Sequence, residues 1–144
     1  MFVVDTNVLI YAADRRASGH KRCRQLLLAW RSQAEPWYLT WGIVYEFLRV
    51  ATHPRVFRSP FTFDQAFTFI DAVLASPSVG VLQETARHPS ILKDIAAQVK
   101  GLEGNLVFDA HTAVLMAEHG IRRIYTHDAD FRRFPFLEVI DPID

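Results

Sequence analysis

The apolar positions of this 144-residue chain switch between short unbroken runs and longer stretches at helical spacing. Residues 2–4 (FVV) form a compact apolar run ended by the polar trio Asp5-Thr6-Asn7, which predicts a short buried strand. Residues 8–13 follow as a short helix that Asp5, Thr6 or Asn7 can cap. A second helix over 20–33 brings Cys23, Leu26, Leu27 and Trp30 onto one face. After Pro36 a second strand spans 37–40, and helical spacing returns over 42–51 with Ile43, Phe47 and Val50 on one side. Pro54 and Pro60 mark 53–60 as a loop. A helix over 63–75, entered through Thr62 or Asp64, leads to a third strand at 79–82. The helix predicted over 88–100 carries Pro89 in its first turn, and the glycines of 101–104 break the chain. Residues 106–119 predict an amphipathic helix with Leu106, Ala110, Ala113, Val114 and Ala117 inward and Gly120 at its end. Strands at 124–126 and 137–140 complete the pattern.

Short apolar strands alternating with helices predict an α/β fold. It is a three-layer α/β/α sandwich whose five-stranded parallel sheet is covered on both faces, as one domain over residues 1–144. The first strand is the most apolar and belongs in the centre. Ligands in such sheets bind beyond the carboxyl ends of the strands, which is where Asp5 stands.

Three further acids fall at matching places. Asp128, in YTHDADF, lies just past the fourth strand. Asp109, in NLVFDAH, and Glu46, in VYEFLRV, lie early in helices whose amino ends point to the same edge, because helix and strand run antiparallel in a crossover unit. Gathered in one pocket, such charges repel and raise one another's pKa, so they call for a counter-charge. Mg²⁺ or Mn²⁺ supplies one, since both prefer oxygen ligands. A bound ion of this kind makes a water nucleophilic and neutralises charge on a phosphodiester. Each acid also has an ordinary reading: Asp5 as a helix cap, Glu46 paired with Arg49 one turn on, Asp109 as a cap or solvated acid, Asp128 and Asp130 as turn residues. The convergence of all four favours the metal.

Charge narrows the partners. The chain has 16 basic and 16 acidic residues, so nucleic acid is not drawn in by net charge, although basic residues cluster locally at Arg15-Arg16, Lys21-Arg22 with Arg24, Arg122-Arg123 and Arg132-Arg133. No apolar run is long enough to span a membrane, no signal peptide opens the chain, and Cys23 is alone, which predicts a cytoplasmic protein without a disulfide. His20, His53 and His88 read as surface or capping residues, and no His/Cys spacing suggests zinc.

The stretches VVDTNVLIYA, WGIVYEFLRVATHPRVF, LVFDAHTAVLMAEHG and IYTHDADFRRFPFLEVIDP resemble the PIN-domain family, in particular the VapC ribonuclease toxins of type II toxin–antitoxin systems. The resemblance runs from residue 3 to residue 142 and includes both D-T-N-x-L and the closing T-x-D-x-D-F. It implies a Mg²⁺-dependent endoribonuclease, a cognate VapB-type antitoxin and a homodimer. It maps the family's four-acid site onto Asp5, Glu46, Asp109 and Asp128, with Asp5 and Asp109 the most direct ligands and Glu46 and Asp128 binding directly or through water. Thr6 or Asn7, with Thr126, match positions that steady the site, and Asp130 matches the second acid of the closing motif. Arg49, Arg15, Arg16 and Arg132 are candidates for RNA phosphates, and His111 and His127 flank the acids. The implied products carry 5′-phosphate and 3′-hydroxyl ends.

Two other readings compete. Phosphotransfer domains also place an Asp after the first strand, but they need a second acid where Asn7 stands, or an acid pair before the first Asp and a Lys after the fifth strand, where Asp141-Pro142 lie. A PIN-like module that binds RNA or protein without cutting is the alternative from another class; a missing acid would favour it, and all four are present.

Overall fold

In the computed structural model, which describes residues 1–144, the strands are β1 (Phe2–Val4), β2 (Trp37–Thr40), β3 (Val79–Leu82), β4 (Arg123–Tyr125) and β5 (Glu138–Ile140). All pair in parallel in the order β3-β2-β1-β4-β5, so β1 is central and β4 is its neighbour. The helices are α1 (Thr6–Ala13), α2 (His20–Ser32), α3 (Trp41–Ala51), α4 (Phe63–Leu74), α5 (His88–Gln98) and α6 (Leu106–Glu118). Right-handed crossovers put α1 to α4 on one face and α5 with α6 on the other, which gives the expected three layers.

The core follows from β1. All three of its residues are buried, so the sheet is covered on both sides at its centre. Phe2 packs against Trp30 of α2, Trp37 of β2 and Tyr125 of β4, with ring centroids 5.2, 6.4 and 5.0 Å apart. The Trp37 indole N–H donates to the Trp30 carbonyl at 3.1 Å, which satisfies the one polar atom of a fully buried side chain.

Helix starts are set by short polar side chains. Asp5 is extended and accepts from the Thr6 N–H, so α1 starts two residues before the apolar stretch that announces it. Thr40 caps α3 by accepting from the Ile43 N–H at 3.1 Å. Of the two residues offered for α4, Thr62 is the cap, in a reciprocal box with Gln65. Gly120, at φ +66°, ends α6 in the left-handed region.

The structure corrects the reading of α6. It is not one-sided: Ala110 and Thr112 to Met116 are all buried, whereas Ala117 is only half-buried. The cause is that α5, α3 and a 3₁₀ helix (Ala129–Arg133) all pack against it, in addition to the sheet. That 3₁₀ helix has no sequence periodicity to reveal it; it is anchored by buried Phe131 and Phe134.

Glu118 is the one charged residue buried on α6. Its carboxylate accepts from the Thr85 N–H at 2.7 Å and the Thr85 hydroxyl at 2.6 Å, and pairs with His88 Nδ1 at 2.6 Å. His88 thus opens α5 but is held by an acid rather than lying free on the surface. Desolvation pushes the Glu118 carboxyl up, but the bonds from Thr85 and His88 outweigh it and hold the group below its ordinary value. The clamp ties the β3–α5 connection to the far end of α6. Glu118→Ala should destabilise the protein by about 2–3 kcal/mol in chemical denaturation, because the Thr85 N–H is left without its partner. Because the folded pKa is lowered, the wild-type advantage should be full above the carboxylate range and shrink as the pH falls through it.

Candidate functional site

The carboxyl edge of the sheet is held together by one buried acid. Asp5 leaves β1 with its own N–H donating to the Tyr125 carbonyl at 3.0 Å, so the β1–β4 ladder continues one residue past the strand. Its side chain is 7% exposed and accepts three hydrogen bonds. Oδ1 accepts from the Thr6 N–H at 2.7 Å; Oδ2 accepts from Asn7 Nδ2 at 2.6 Å and from the Thr126 hydroxyl at 2.7 Å.

The same polar residues carry the contact outward. Thr126 Oγ1 accepts from Asn7 Nδ2 and from the Asp128 N–H, each at 2.9 Å. Asn7 Oδ1 accepts from the His127 N–H at 3.0 Å. Asp128 in turn caps the 3₁₀ helix by accepting from the Asp130 N–H at 2.8 Å. On the other side, the Thr6 hydroxyl donates to Glu46 Oε2 at 3.0 Å. One turn on, Arg49 lies 3.9 Å from Glu46 Oε1, both side chains exposed. Thr6, Asn7 and Thr126 are therefore the hinges between Asp5 and its neighbours.

Asp109, in the first turn of α6, faces the same edge. Carboxylate oxygens of Asp109, Asp128 and Asp130 lie within 4.8 Å of one another. Asp130, which the sequence gives only an assisting place, is thus drawn into the acid group. Burial raises the Asp109 carboxyl to about 7, with the charges of Asp5, Asp128, Glu46 and Asp130 adding to the rise. Burial also raises Asp5 to about 6, against the lowering bonds from Thr126 and Thr6. Repulsion reaching Asp109 from four other acids shows that they share one electrostatic site.

The donor set suits a hard divalent cation: every candidate ligand is a carboxylate oxygen, several are clustered, and their charge is uncompensated. Asp109, Asp128 and Asp130 offer free oxygens. Asp5 offers less, since Oδ2 already takes two donors, but Oδ1 takes one and keeps a lone pair.

The remaining sequence-marked residues lie around or away from this edge. His127 Nδ1 pairs with Asp141 Oδ2 at 2.7 Å. A cleft of about 290 Å³ beside them is lined by Thr126, Asp128 and Arg132 among others. His111 pairs with Glu84 at 2.9 Å, and its ring lies against Gly42, where a Cβ would meet Nδ1 at 3.4 Å. Arg15 and Arg16 are not at the acid edge; they follow the far end of α1. Neither Glu84 nor Asp141 has a sequence sign that a histidine meets it, although Asp141 stands next to last in the stretch IYTHDADFRRFPFLEVIDP.

The family model described as PIN domain matches residues 2–137. Ribonuclease VapC48 of Mycobacterium tuberculosis is 33% identical over 138 residues, covering 96% of this chain and 94% of that protein. Ribonuclease VapC37 of the same species is 37% identical over 134 residues, covering 93% and 92%. Among solved structures, VapBC2 from Rickettsia felis, bound to a DNA fragment from its promoter, matches with a TM-score of 0.70 over 96% of both chains at 16% identity. Mycobacterium tuberculosis VapC20, a sarcin–ricin-loop-cleaving toxin, matches with a TM-score of 0.67 over 92% of this chain and 93% of that one, at 21% identity.

The raised carboxyls fix a pH response. Asp5 and Asp109 bind protons more tightly folded than unfolded, so their ionisation costs stability as the pH rises from the ordinary value of 3.8 through about 6 and about 7. In EDTA, Asp109→Asn should melt with wild type near pH ~4 and a few degrees above it at pH ~8. Added Mg²⁺ or Mn²⁺ should raise the wild-type Tm and narrow that gap. A gap that does not change with pH would show that Asp109 does not feel its neighbours.

Proposed function

The chain belongs to the PIN-domain family, and from that premise we propose that it is a Mg²⁺-dependent endoribonuclease, the toxin of a type II toxin–antitoxin module. The observation that carries the reading is the acid edge itself: Asp109, Asp128 and Asp130 clustered in front of a buried Asp5, with Glu46 alongside and the exposed Arg49, at Glu46, the one arginine or lysine of the chain within 4.0 Å of these acids. Relatives named as ribonucleases, similar over nearly the whole chain, support the same chemistry.

Mg²⁺, with Mn²⁺ as substitute, would bind at Asp109, Asp128 and Asp130 with the spare lone pair of Asp5, and would supply charge neutralisation and a more acidic water. The chain's own residues set the geometry. Thr126 and Asn7 hold Asp5 in place, and Thr6 turns Glu46 toward it. Glu46, half in solvent, and Asp109, whose carboxyl is raised to about 7 by burial, are placed to hold waters and accept a proton. The Asp128 N–H bond to Thr126 keeps the 3₁₀ turn from drifting and so fixes the Asp128 and Asp130 carboxylates.

The partners follow from the same reading. RNA is the substrate. A small VapB-type antitoxin would silence the chain, in line with the solved VapBC assemblies that share its fold. A second copy of the chain is the further partner, and Trp41 and Tyr45 of α3 with Phe108 of α6, all exposed, are surface that a homodimer would cover.

Purified chain should cleave a structured RNA in Mg²⁺ and stop in EDTA. Asp5→Asn and Asp109→Asn should each lower the rate by ~100-fold or more, and Thr126→Ala by roughly 10–100-fold, as for residues that position ligands. Cleavage by Asp5→Asn at the wild-type rate, or none by well-metallated wild type, would sink the assignment. Expressed alone, wild type should arrest growth while Asp109→Asn does not; unimpaired growth with wild type would remove the toxin role.

A further inference from the structure

We propose that the cleft where α1 and the segment after α3 meet is a second, arginine-lined site that grips the RNA phosphate backbone away from the acid edge. This deepens the ribonuclease reading and rests on it for the identity of the polymer. The cleft is about 420 Å³ and is lined by Arg15 and Arg16 on one wall and Arg58 on the other, over Phe57 and Phe61.

The acid edge creates the need for it. A polyanion cannot be held by a rim of carboxylates, and a chain of zero net charge provides no overall attraction. The grip must come from a local group of free cations. Six of the thirteen arginines are already engaged: Arg123 with Glu138, Arg49 with Glu46, Arg31 with Ser76, and Arg87, Arg122 and Arg133 with backbone carbonyls; of the seven left free, Arg22, Arg24, Arg55 and Arg132 do not line this cleft. Arg15, Arg16 and Arg58 have neither a carboxylate within 4.0 Å nor a side-chain hydrogen bond, and they share one cleft.

Both walls are built rather than loose. Asp14, the one acid in the lining, accepts from the Arg16 N–H at 3.0 Å, and its carbonyl accepts from Ala17, so it spends itself on the turn that presents the two arginines. Opposite, the Phe61 N–H donates to the Ala51 carbonyl at 2.9 Å and the Phe57 N–H to His53 at 3.2 Å, which folds the loop back onto α3. Phe57 is buried and meets Phe61 edge-on, 5.6 Å between centroids, giving a firm floor. The backbone that carries the three exposed arginines is ordered, and their planar guanidinium forks match the geometry of phosphate oxygens.

The position also suits RNA. Both α1 and α3 start at the acid edge and the cleft lies where they end. At about 1.5 Å per residue, the eight residues of α1 set the cleft roughly 12 Å from Asp5, within reach of a short single-stranded segment whose scissile phosphate sits at the acids.

The test uses the full chain with Arg15→Ala, Arg16→Ala and Arg58→Ala combined, and Arg22→Ala with Arg24→Ala as a control from outside the cleft. Binding of a fluorescent single-stranded RNA is measured in EDTA, so that it does not depend on cleavage. The triple variant should raise Kd by about 10-fold or more and lower the slope of log K against log salt by about 2, near 0.7 for each lost phosphate contact. The control should stay within about twofold, and both should melt with wild type. In Mg²⁺ the triple variant should raise KM and leave kcat within about threefold. Unchanged RNA affinity and salt slope would overturn the site, as would an equal loss in the control. Loss of antitoxin binding with RNA affinity intact would reassign the cleft to an acidic protein partner and overturn the proposal too. If wild type binds RNA through the arginines yet never cuts it, the cleft stands and the nuclease reading falls.

Discussion

Burying the Asp5 carboxylate is the constraint on which this structure turns. A charge taken from water at the end of a central strand is costly, and only donors placed around it make the position tenable. Those donors come from both sides of the seam: Thr6 and Asn7 from its own chain turn, Thr126 from the neighbouring strand. To satisfy Asp5, β4 must lie beside β1 and α1 must begin at Thr6. The strand order and the site are therefore two consequences of one set of hydrogen bonds. Asn7 and Thr126 also bond each other and the backbone of His127 and Asp128, so no member can move alone.

The same arrangement stores unfavourable charge. Asp109 rises to about 7 because it is partly buried and because four acids face it, and nothing in the chain relieves that repulsion. A divalent cation would do so, and on that reading the chain gives up stability for a site prepared to receive one. A rim that attracts a cation repels a phosphodiester. Without a cation the rim gives a polyanion nothing to hold, whereas three unpaired arginines lie together at the other end of α1 and Arg132 stands in the cleft beside Asp128.

Sequence revealed what is periodic or what is carried by a motif. The strand FVV, the helical face Cys23–Leu27–Trp30 and the acids at strand ends and helix starts all leave such marks, and the structure brings Asp5, Glu46, Asp109 and Asp128 to one edge. Contacts between unlike, distant residues left none. Nothing near His88 predicts that Glu118 meets it, and nothing near Arg15 predicts Arg58 across a cleft. The reading of α6 failed for a related reason. Periodicity reports one buried face, and this helix is covered on several, so Thr112 and Leu115 are buried along with Ala113.

That all-round burial explains how Asp109 can be both charged and fixed. It sits in the exposed first turn of a helix whose next turns are locked by the sheet, α5 and the 3₁₀ helix, and whose last residue, Glu118, is clamped to Thr85 and His88. A carboxylate that repels four neighbours would otherwise move its helix outward until the repulsion eased. Here a shift of α6 along its axis would break the bonds to Thr85 and open the contacts of Thr112 to Met116 together. The repulsion is thus resisted by packing three to nine residues away, and the position of Asp109 is set as much by the carboxyl end of α6 as by its amino end.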